Sequence, residues 1–363
     1  MKKTDKTKQQ SAFIKNILKT GNAMNIPMYG IFELTGRCNF DCKMCYVHVM
    51  DQEDAAKREL STEQWKKIFD QAYENGLVIA LLTGGECLLR KDFKELYLHL
   101  WNKGVTISVN TNGFLIDDDY INFFKQYPPK KIQITLYGSN DFEYEAITGR
   151  RAFDRVFSTL NKLKNNSINF SVAITPCKQS LHFCKNIMKL AYENDFPFTL
   201  NELMLPPREN IQRNDYYITV EELVDLACES ARLRGKVLEP CARESLPVPG
   251  ESTSGGTKTK KRCYAGGCRY SVNWEGRLTA CVGMDSLSVS VEDKGFAAAW
   301  KEVSENMKTV TLPAKCNNCD YNSICSPCHI ARHVQIYKDE CNPLQCELMV
   351  QKCMCGLCKL KEK

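Results

Sequence analysis

Residues 77–86 read Leu77-Val-Ile-Ala-Leu-Leu-Thr-Gly-Gly-Glu86. The first six are apolar without a break, as expected of a short strand buried in a parallel sheet. The stretch then ends in two glycines and a carboxylate. Just upstream, Ser61-Thr-Glu-Gln64 reads as a capping box. Trp65, Ile68, Phe69 and Ala72 mark one helical face, and Gly76 stops that helix. Upstream again, Met28-Tyr-Gly-Ile-Phe-Glu-Leu34 reads as a strand.

The same alternation continues downstream. A helix near 92–102 ends before Gly104 and a strand follows at 105–110. A helix near 117–126 precedes Lys131-Ile-Gln-Ile-Thr-Leu136, and one near 152–165 precedes Asn169-Phe-Ser-Val-Ala-Ile174. A helix near 180–194 precedes a strand near 197–203, and Thr219-Val-Glu-Glu222 opens a further helix near 219–234. Strands alternating with helices imply right-handed crossovers and a parallel sheet. Six such units are too few to close an eightfold barrel, so an α/β open sheet or partial barrel is expected. In either, ligands gather at the C-terminal ends of the strands.

The 363 residues, 43% apolar, are enough for one domain of about 200–250 residues and a smaller one. The net charge of +6 is mild. Basic residues bunch in the first eight positions, in Lys258-Thr-Lys-Lys-Arg262 and in the last five residues. These read as solvated termini and a loop, so no nucleic-acid partner is expected. No apolar run approaches a membrane span, and Gln9-Gln10-Ser11 is not a signal-peptide core. A cytoplasmic protein with no membrane partner is expected. Pro247 to Arg262 is rich in Pro, Gly, Ser, Thr and Lys and reads as a linker or surface loop.

Cysteine is the anomaly. There are 20, and 12 fall between Cys263 and Cys358. A cytosolic chain keeps thiols reduced, and clustered cysteines there more often bind metal than form disulfides. The first group is Cys38-Asn-Phe-Asp-Cys42-Lys-Met-Cys45, directly after the first strand. Three thiolates in so short a loop can wrap one cubane cluster and ligate three of its irons. The fourth iron is then open to a chelating substrate, as in catalytic metal sites. The alternative is a zinc loop, which wants a fourth close ligand; His48 is the local candidate. The loop and Thr83-Gly84-Gly85-Glu86 lie at the same end of the sheet. Glycines let a ligand approach the backbone, and carbonyls with a carboxylate suit an ammonium group.

Together these features resemble the radical S-adenosylmethionine (SAM) superfamily. Its signature is a CxxxCxxC loop after the first strand and Gly-Gly-Glu after the second, on a partial (β/α)6 TIM-like barrel. The resemblance spans roughly residues 28–235. It implies that Cys38, Cys42 and Cys45 hold a [4Fe–4S] cluster, and that Thr83, Gly84, Gly85 and Glu86 receive the methionine ammonium of SAM. It also implies cofactor contacts from Thr135 at the end of the fourth strand, and from the Thr111-Asn112-Gly113 turn through Asn112. Two positions depart from the pattern. Met44 stands where an aromatic residue is usual, and Cys87 where proline is common. Cys87 reads as a small buried residue, with a catalytic thiol as the alternative.

The later cysteines run Cys263-x4-Cys268, Gly276-x4-Cys281, then Cys316-x2-Cys319-x5-Cys325-x2-Cys328, then Cys346. Count alone fits two structural zincs or two four-cysteine clusters equally. The order resembles the Cys-rich SPASM extension of radical SAM peptide maturases. By that resemblance Cys263, Cys268, Cys281 and Cys328 hold one auxiliary [4Fe–4S] cluster. Cys316, Cys319, Cys325 and Cys346 hold another, which makes three clusters in all. Cys341 is an alternative to Cys346. Cys353, Cys355 and Cys358 fall beyond the pattern. Cys177, after the fifth strand, is a candidate hydrogen donor whose plainer reading is a buried core thiol. His329 and His333 read as structural or exposed.

The expected organisation is an N-terminal extension over 1–27, a radical SAM core over 28–235 and a linker over 236–262. A SPASM domain follows over 263–350, held by metal rather than by a large core, with a Cys-rich tail over 351–363. The resemblance implies an enzyme that modifies a ribosomally made peptide by hydrogen abstraction, through thioether or C–C crosslinking or epimerisation. It further implies an electron donor such as flavodoxin or ferredoxin, and leader recognition by the barrel rim, the 247–262 loop or a separate protein. Formylglycine formation in the manner of anaerobic sulfatase-maturating enzymes is the alternative chemistry. A zinc-ribbon binding or regulatory module is the alternative of another class.

Overall fold

The computed structural model describes residues 3–47, 52–202, 205, 207–208, 215–247, 263–310, 316, 319–323, 325 and 343–357. In chain order the elements are α1 (Lys3–Met24), β1 (Tyr29–Glu33), α2 (Gln52–Arg58), α3 (Thr62–Glu74), β2 (Ile79–Thr83), α4 (Phe93–Asn102) and β3 (Thr106–Thr111). Next come α5 (Asp118–Gln126), β4 (Lys131–Thr135), α6 (Asp141–Thr148), α7 (Phe153–Asn165), β5 (Phe170–Ile174), α8 (Leu181–Glu193), β6 (Phe198–Leu200) and α9 (Val220–Leu233). The C-terminal part adds β7 (Arg269–Val272), β8 (Arg277–Thr279), β9 (Val289–Ser290), α10 (Val291–Lys294), α11 (Phe296–Thr309) and α12 (Pro343–Met354).

Local chemistry sets the element ends. Ser61 caps α3: its hydroxyl accepts from the Gln64 N–H, and its own N–H donates to Gln64 Oε1 at 2.8 Å. Trp65, Ile68, Phe69 and Ala72 are the buried face of α3. Thr219 and Glu222 repeat the device at α9. The α6 helix, which the sequence reading did not anticipate, is capped by Asn140 and stopped by Gly149 at φ 70°.

The strands form one sheet in the order β6-β5-β4-β3-β2-β1-β7-β8-β9. Every pair from β6 to β7 is parallel, and β8 and β9 return antiparallel. The six expected strand–helix units are present and the sheet remains open, as a partial α/β barrel.

The expectation that metal rather than apolar packing holds the C-terminal part needs correction for residues 268–307. β7 lies parallel to β1, with Tyr29 opposite Arg269 and Phe32 opposite Val272. Tyr270, Val272, Leu278, Phe296, Trp300 and Met307 belong to the barrel's own core. The Phe32 and Tyr270 rings meet edge-on at 5.9 Å. A four-residue strand is too short to show a period, and it covers the edge that β1 would otherwise leave unpaired. The N-terminal segment is also structural. Trp300 Nε1–H donates to the Asn25 carbonyl at 3.0 Å, and the Ser304 hydroxyl to Asn25 Oδ1 at 2.8 Å. A second, smaller core joins α9 and α12 through Leu223, Val224, Cys228, Leu348, Met349 and Cys353, with Tyr321 among them.

Candidate functional site

The cysteine loop leaves the C-terminal end of β1 and is pinned from three sides. On the β2 side, the Leu34 N–H donates to the Thr83 carbonyl at 2.8 Å. The Gly85 N–H donates to the Thr35 carbonyl at 2.9 Å, and the Glu86 N–H to the Arg37 carbonyl at 2.8 Å. On the α6 side, the Asp41 N–H donates to the Thr148 carbonyl and the Lys43 N–H to that of Ile147, at 2.9 and 3.1 Å. Beneath, Arg37 Nε and Nη2 donate to the Glu59 carboxylate at 3.0 and 2.9 Å. Arg90 Nη1 holds the Leu34 and Leu60 carbonyls at 3.1 and 3.0 Å.

This explains the paired glycines. A Cβ at Gly84 would stand 2.4 Å from the Thr35 carbonyl oxygen, and one at Gly85 2.3 Å from that of Arg37. The sequence suggested glycines for the approach of a ligand. The close neighbour in the structure is the cysteine loop itself, crossing the end of β2.

Polar donors face the sulfurs. Cys38 Sγ accepts from the Phe40 N–H at 3.5 Å and lies 3.9 Å from Asn112 Nδ2. The Tyr137 hydroxyl bonds to the sulfur of Cys42. Burial pushes the Cys38 thiol up to about 12, with Glu86 and Cys45 adding to the rise. Burial also drives Cys42 well above the ordinary thiol range, with Cys45 and Cys38 contributing. Metal binding at these thiols must therefore release protons. Among the described residues, no three His, Cys, Asp or Glu side chains converge on a single-ion site. Soft thiols with N–H and O–H groups aimed at sulfur fit an iron–sulfur centre.

Glu86 is fully buried. Its carboxylate accepts from the Leu88 N–H at 3.0 Å, the Thr111 hydroxyl at 2.8 and 2.9 Å, and the Asn112 N–H at 2.7 Å. It braces β2 to the end of β3 and so delivers Asn112, whose Nδ2 also bonds Asn39 Oδ1 at 2.7 Å, to the cysteine loop. Thr83 is buried, and Thr135 is half-buried at the end of β4. Cys87 is buried, with its thiol on the Asn110 carbonyl at 3.4 Å. Cys177 is buried with its sulfur 3.2 Å from Ser180 Oγ. Both match the plainer expectation of small core thiols. Sequence reasoning missed Tyr137, Glu59 and Arg90, whose only signal was a polar residue beside a buried strand or turn.

Of the later cysteines, Cys263 and Cys268 lead into β7 and Cys281 follows its antiparallel partner β8, so the three share one end of a hairpin. Cys268 is buried, its thiol donating to the Leu18 carbonyl of α1 at 3.3 Å. Cys346 lies on α12. Cys319 and Cys325 pack on the α9–α12 core beside Cys353 and Cys355. Cys228 and Cys241, which carried no expectation, join them. The Cys228 and Cys355 thiols bond to each other, and the Cys241 thiol meets the Cys353 carbonyl at 3.3 Å. Cys316 is half-buried. Cys328, Cys341, Cys358, His48, His329, His333 and most of the 247–262 loop lie outside the described residues. Among the described residues, no helix is long and apolar enough to cross a membrane.

The structure thus sets a clamped three-thiol loop at the C-terminal strand ends of a parallel α/β half-barrel. Residues 32–178 match the family described as the radical SAM superfamily. The matched stretch holds the three-thiol loop and the Thr83–Glu86 turn, and supports a radical SAM enzyme that uses S-adenosylmethionine with iron–sulfur chemistry. The AdoMet-dependent heme synthase of Methanosarcina barkeri is 23% identical over 321 residues, covering 84% of this chain and 91% of that one. The antilisterial bacteriocin subtilosin biosynthesis protein AlbA of Bacillus subtilis is 29% identical over 162 residues, covering 44% of this chain and 36% of AlbA. The fold of Streptococcus suis SuiB, solved bound to precursor peptide SuiA, matches 96% of this chain and 82% of SuiB. Its TM-score is 0.69 at 16% identity.

Proposed function

We propose that this chain modifies a ribosomally synthesised peptide, using a [4Fe–4S] cluster held by Cys38, Cys42 and Cys45. When bound, that cluster and SAM supply reductive C–S cleavage and a carbon radical able to take an unactivated hydrogen atom. The chain's own residues hold and shield this chemistry. Asn112, Tyr137 and the Phe40 N–H hold the thiol loop by its sulfurs. The Thr83–Glu86 turn and Thr135, at the same strand ends, form the SAM side of the mouth. The observation that carries the reading is the three-thiol loop clamped across the end of β2, with donors already facing Cys38 and Cys42.

Finer assignments belong to the same proposal. Cys263, Cys268, Cys281 and Cys328 hold one auxiliary cluster, and Cys316, Cys319, Cys325 and Cys346 another. The functional units are the 28–235 core and the 263–350 extension. An electron donor such as flavodoxin or ferredoxin supplies electrons in the cytoplasm, and the leader peptide is recognised by the barrel rim, the 247–262 loop or a separate protein. The peptide substrate is supported by AlbA, a bacteriocin biosynthesis protein, and by SuiB, solved with a precursor peptide. The near full-length match to a heme synthase favours a second reading, in which the substrate is a tetrapyrrole.

Anaerobic reconstitution tests this. Three cubanes require about twelve irons per chain. SAM should alter the EPR signal of the reduced protein and be cleaved to 5′-deoxyadenosine. Replacing Cys38, Cys42 and Cys45 together by alanine should abolish both, and undiminished cleavage would refute the site. A mass shift on a candidate peptide, against heme formation from a tetrapyrrole, separates the two substrates.

A further inference from the structure

A polar bridge runs from the cysteine loop of the barrel to the β7–β8 hairpin, through residues the proposed chemistry leaves unused. It begins at Tyr46, which follows Cys45. The Tyr46 hydroxyl donates to Glu33 Oε1 at 3.0 Å. Arg208 Nη2 donates to Glu33 Oε2 and to the Val282 carbonyl, each at 2.7 Å. Arg208 Nε lies 2.8 Å from Asp285 Oδ2. Val282 follows Cys281. The backbone N–H of Arg208 donates to the Tyr46 carbonyl at 3.0 Å, and its guanidinium lies 5.5 Å from the Tyr46 ring and 5.2 Å from the Trp274 ring.

Glu33 is fully buried at the C-terminal end of β1, and the Arg208 side chain is only 13% exposed. A buried carboxylate in a strand is unfavourable unless paired, so the pair has a reason to persist. The geometry needs a guanidinium. Its Nη2 bonds a carboxylate and a carbonyl together, while its delocalised charge faces the Asp285 carboxylate and two aromatic rings, a combination that a compact ammonium does not reproduce. Three separate chain segments meet on it: β1, the stretch after β6 and the turn after β8.

We infer that Arg208 is a positioning residue that locks the Cys45 loop to the Cys281 turn and, with Glu33, sets the reduction potentials of the two centres these cysteines serve. The inference rests on the proposed reading that Cys45 and Cys281 ligate different clusters. Net charge and hydrogen bonding around a cluster tune its potential. The sign of each change follows from the charge removed. Losing the guanidinium disfavours the added electron, and losing the carboxylate favours it.

The test is an EPR-monitored redox titration of the reconstituted full-length enzyme, with iron counted in every sample. Arg208→Met should lower the midpoint potentials, by about a tenfold change in the oxidised-to-reduced ratio at fixed potential, ~59 mV for one electron. Glu33→Gln should raise them, and Arg208→Lys, which keeps the charge but loses the fork, should lower them less than Arg208→Met does. A merely structural role would not give opposite signs, so shifts in the same direction, or none, overturn the inference. If Arg208→Met loses its iron, Glu33→Gln decides alone, and an unshifted potential there is equally fatal. A wild-type enzyme with no SAM-responsive signal would instead sink the cluster assignment and this inference with it. Normal wild-type signals with unmoved variants sink the inference only.

Discussion

Glu86→Gln keeps the shape of a fully buried side chain and turns one acceptor oxygen into a donor. In the wild type, Oε1 takes the Leu88 N–H and Oε2 the Asn112 N–H, while the Thr111 hydroxyl reaches both. Glutamine can satisfy only one of the two backbone donors, since its amide NH2 must face the other. The Thr111 hydroxyl can rotate to accept, so it is not lost. One buried N–H left without a partner costs about 1–3 kcal/mol. Relief of the buried charge offsets part of that, so a net loss of about 1–2 kcal/mol is expected. Glu86→Ala strands both backbone donors and should lose about 2–6 kcal/mol. Urea unfolding of the reduced, cluster-free chain reads these values without interference from iron, and SAM affinity is measured in parallel on reconstituted enzyme. If Glu86→Gln unfolds with the wild-type midpoint while SAM binding collapses, the carboxylate serves the ligand and the brace argument is wrong.

Three further outcomes are expected. Gly85→Ala places a methyl against the Arg37 carbonyl, and should cost about 1–3 kcal/mol and loosen iron retention by moving the loop that carries Cys38; a variant that keeps wild-type stability and iron would show the crossing to be slack. The Tyr270 hydroxyl is buried with no hydrogen-bond partner among the described residues, so Tyr270→Phe should leave stability unchanged or raise it by about 1 kcal/mol; thermal melting that instead drops would reveal a missed partner. Burial pushes the Glu33 and Glu86 carboxyls above the ordinary glutamate range. Their folded values exceed their unfolded ones, so their contribution is complete below the unfolded pKa and is lost as pH rises through the folded values. Urea midpoints of the cluster-free chain should therefore fall as pH climbs out of the ordinary glutamate range, and Glu86→Gln should flatten that slope; a midpoint that rises over this window contradicts the assignment.

Local patterns were legible because local geometry is encoded locally. The capping residues Ser61 and Thr219 stand at the helix starts where the sequence placed them, and the apolar run before Thr83 is a buried strand. The helix Asp141–Thr148 is not legible although Asn140 and Gly149 bracket it, because eight residues carry too little periodicity. The strand Arg269–Val272 is too short to be legible for the same reason. It exists because β1, about 240 residues earlier in the chain, has an edge to cover. The three-thiol loop was legible from its spacing, whereas Tyr137 and Arg208 near it were not, since nothing in a single polar letter tells which distant sulfur or carboxylate it will meet.

The sequence alone determined the alternation of strands and helices, the parallel sheet and the cysteine spacing that marks the superfamily, because these depend on residues a few positions apart. Only the tertiary structure decided that Gly84 and Gly85 serve the crossing of two backbones, that Glu86 ties β2 to β3, and that Arg208 joins the barrel loop to the C-terminal hairpin. Those roles arise from steric exclusion and charge pairing between segments that meet only once the sheet has brought the strand ends together.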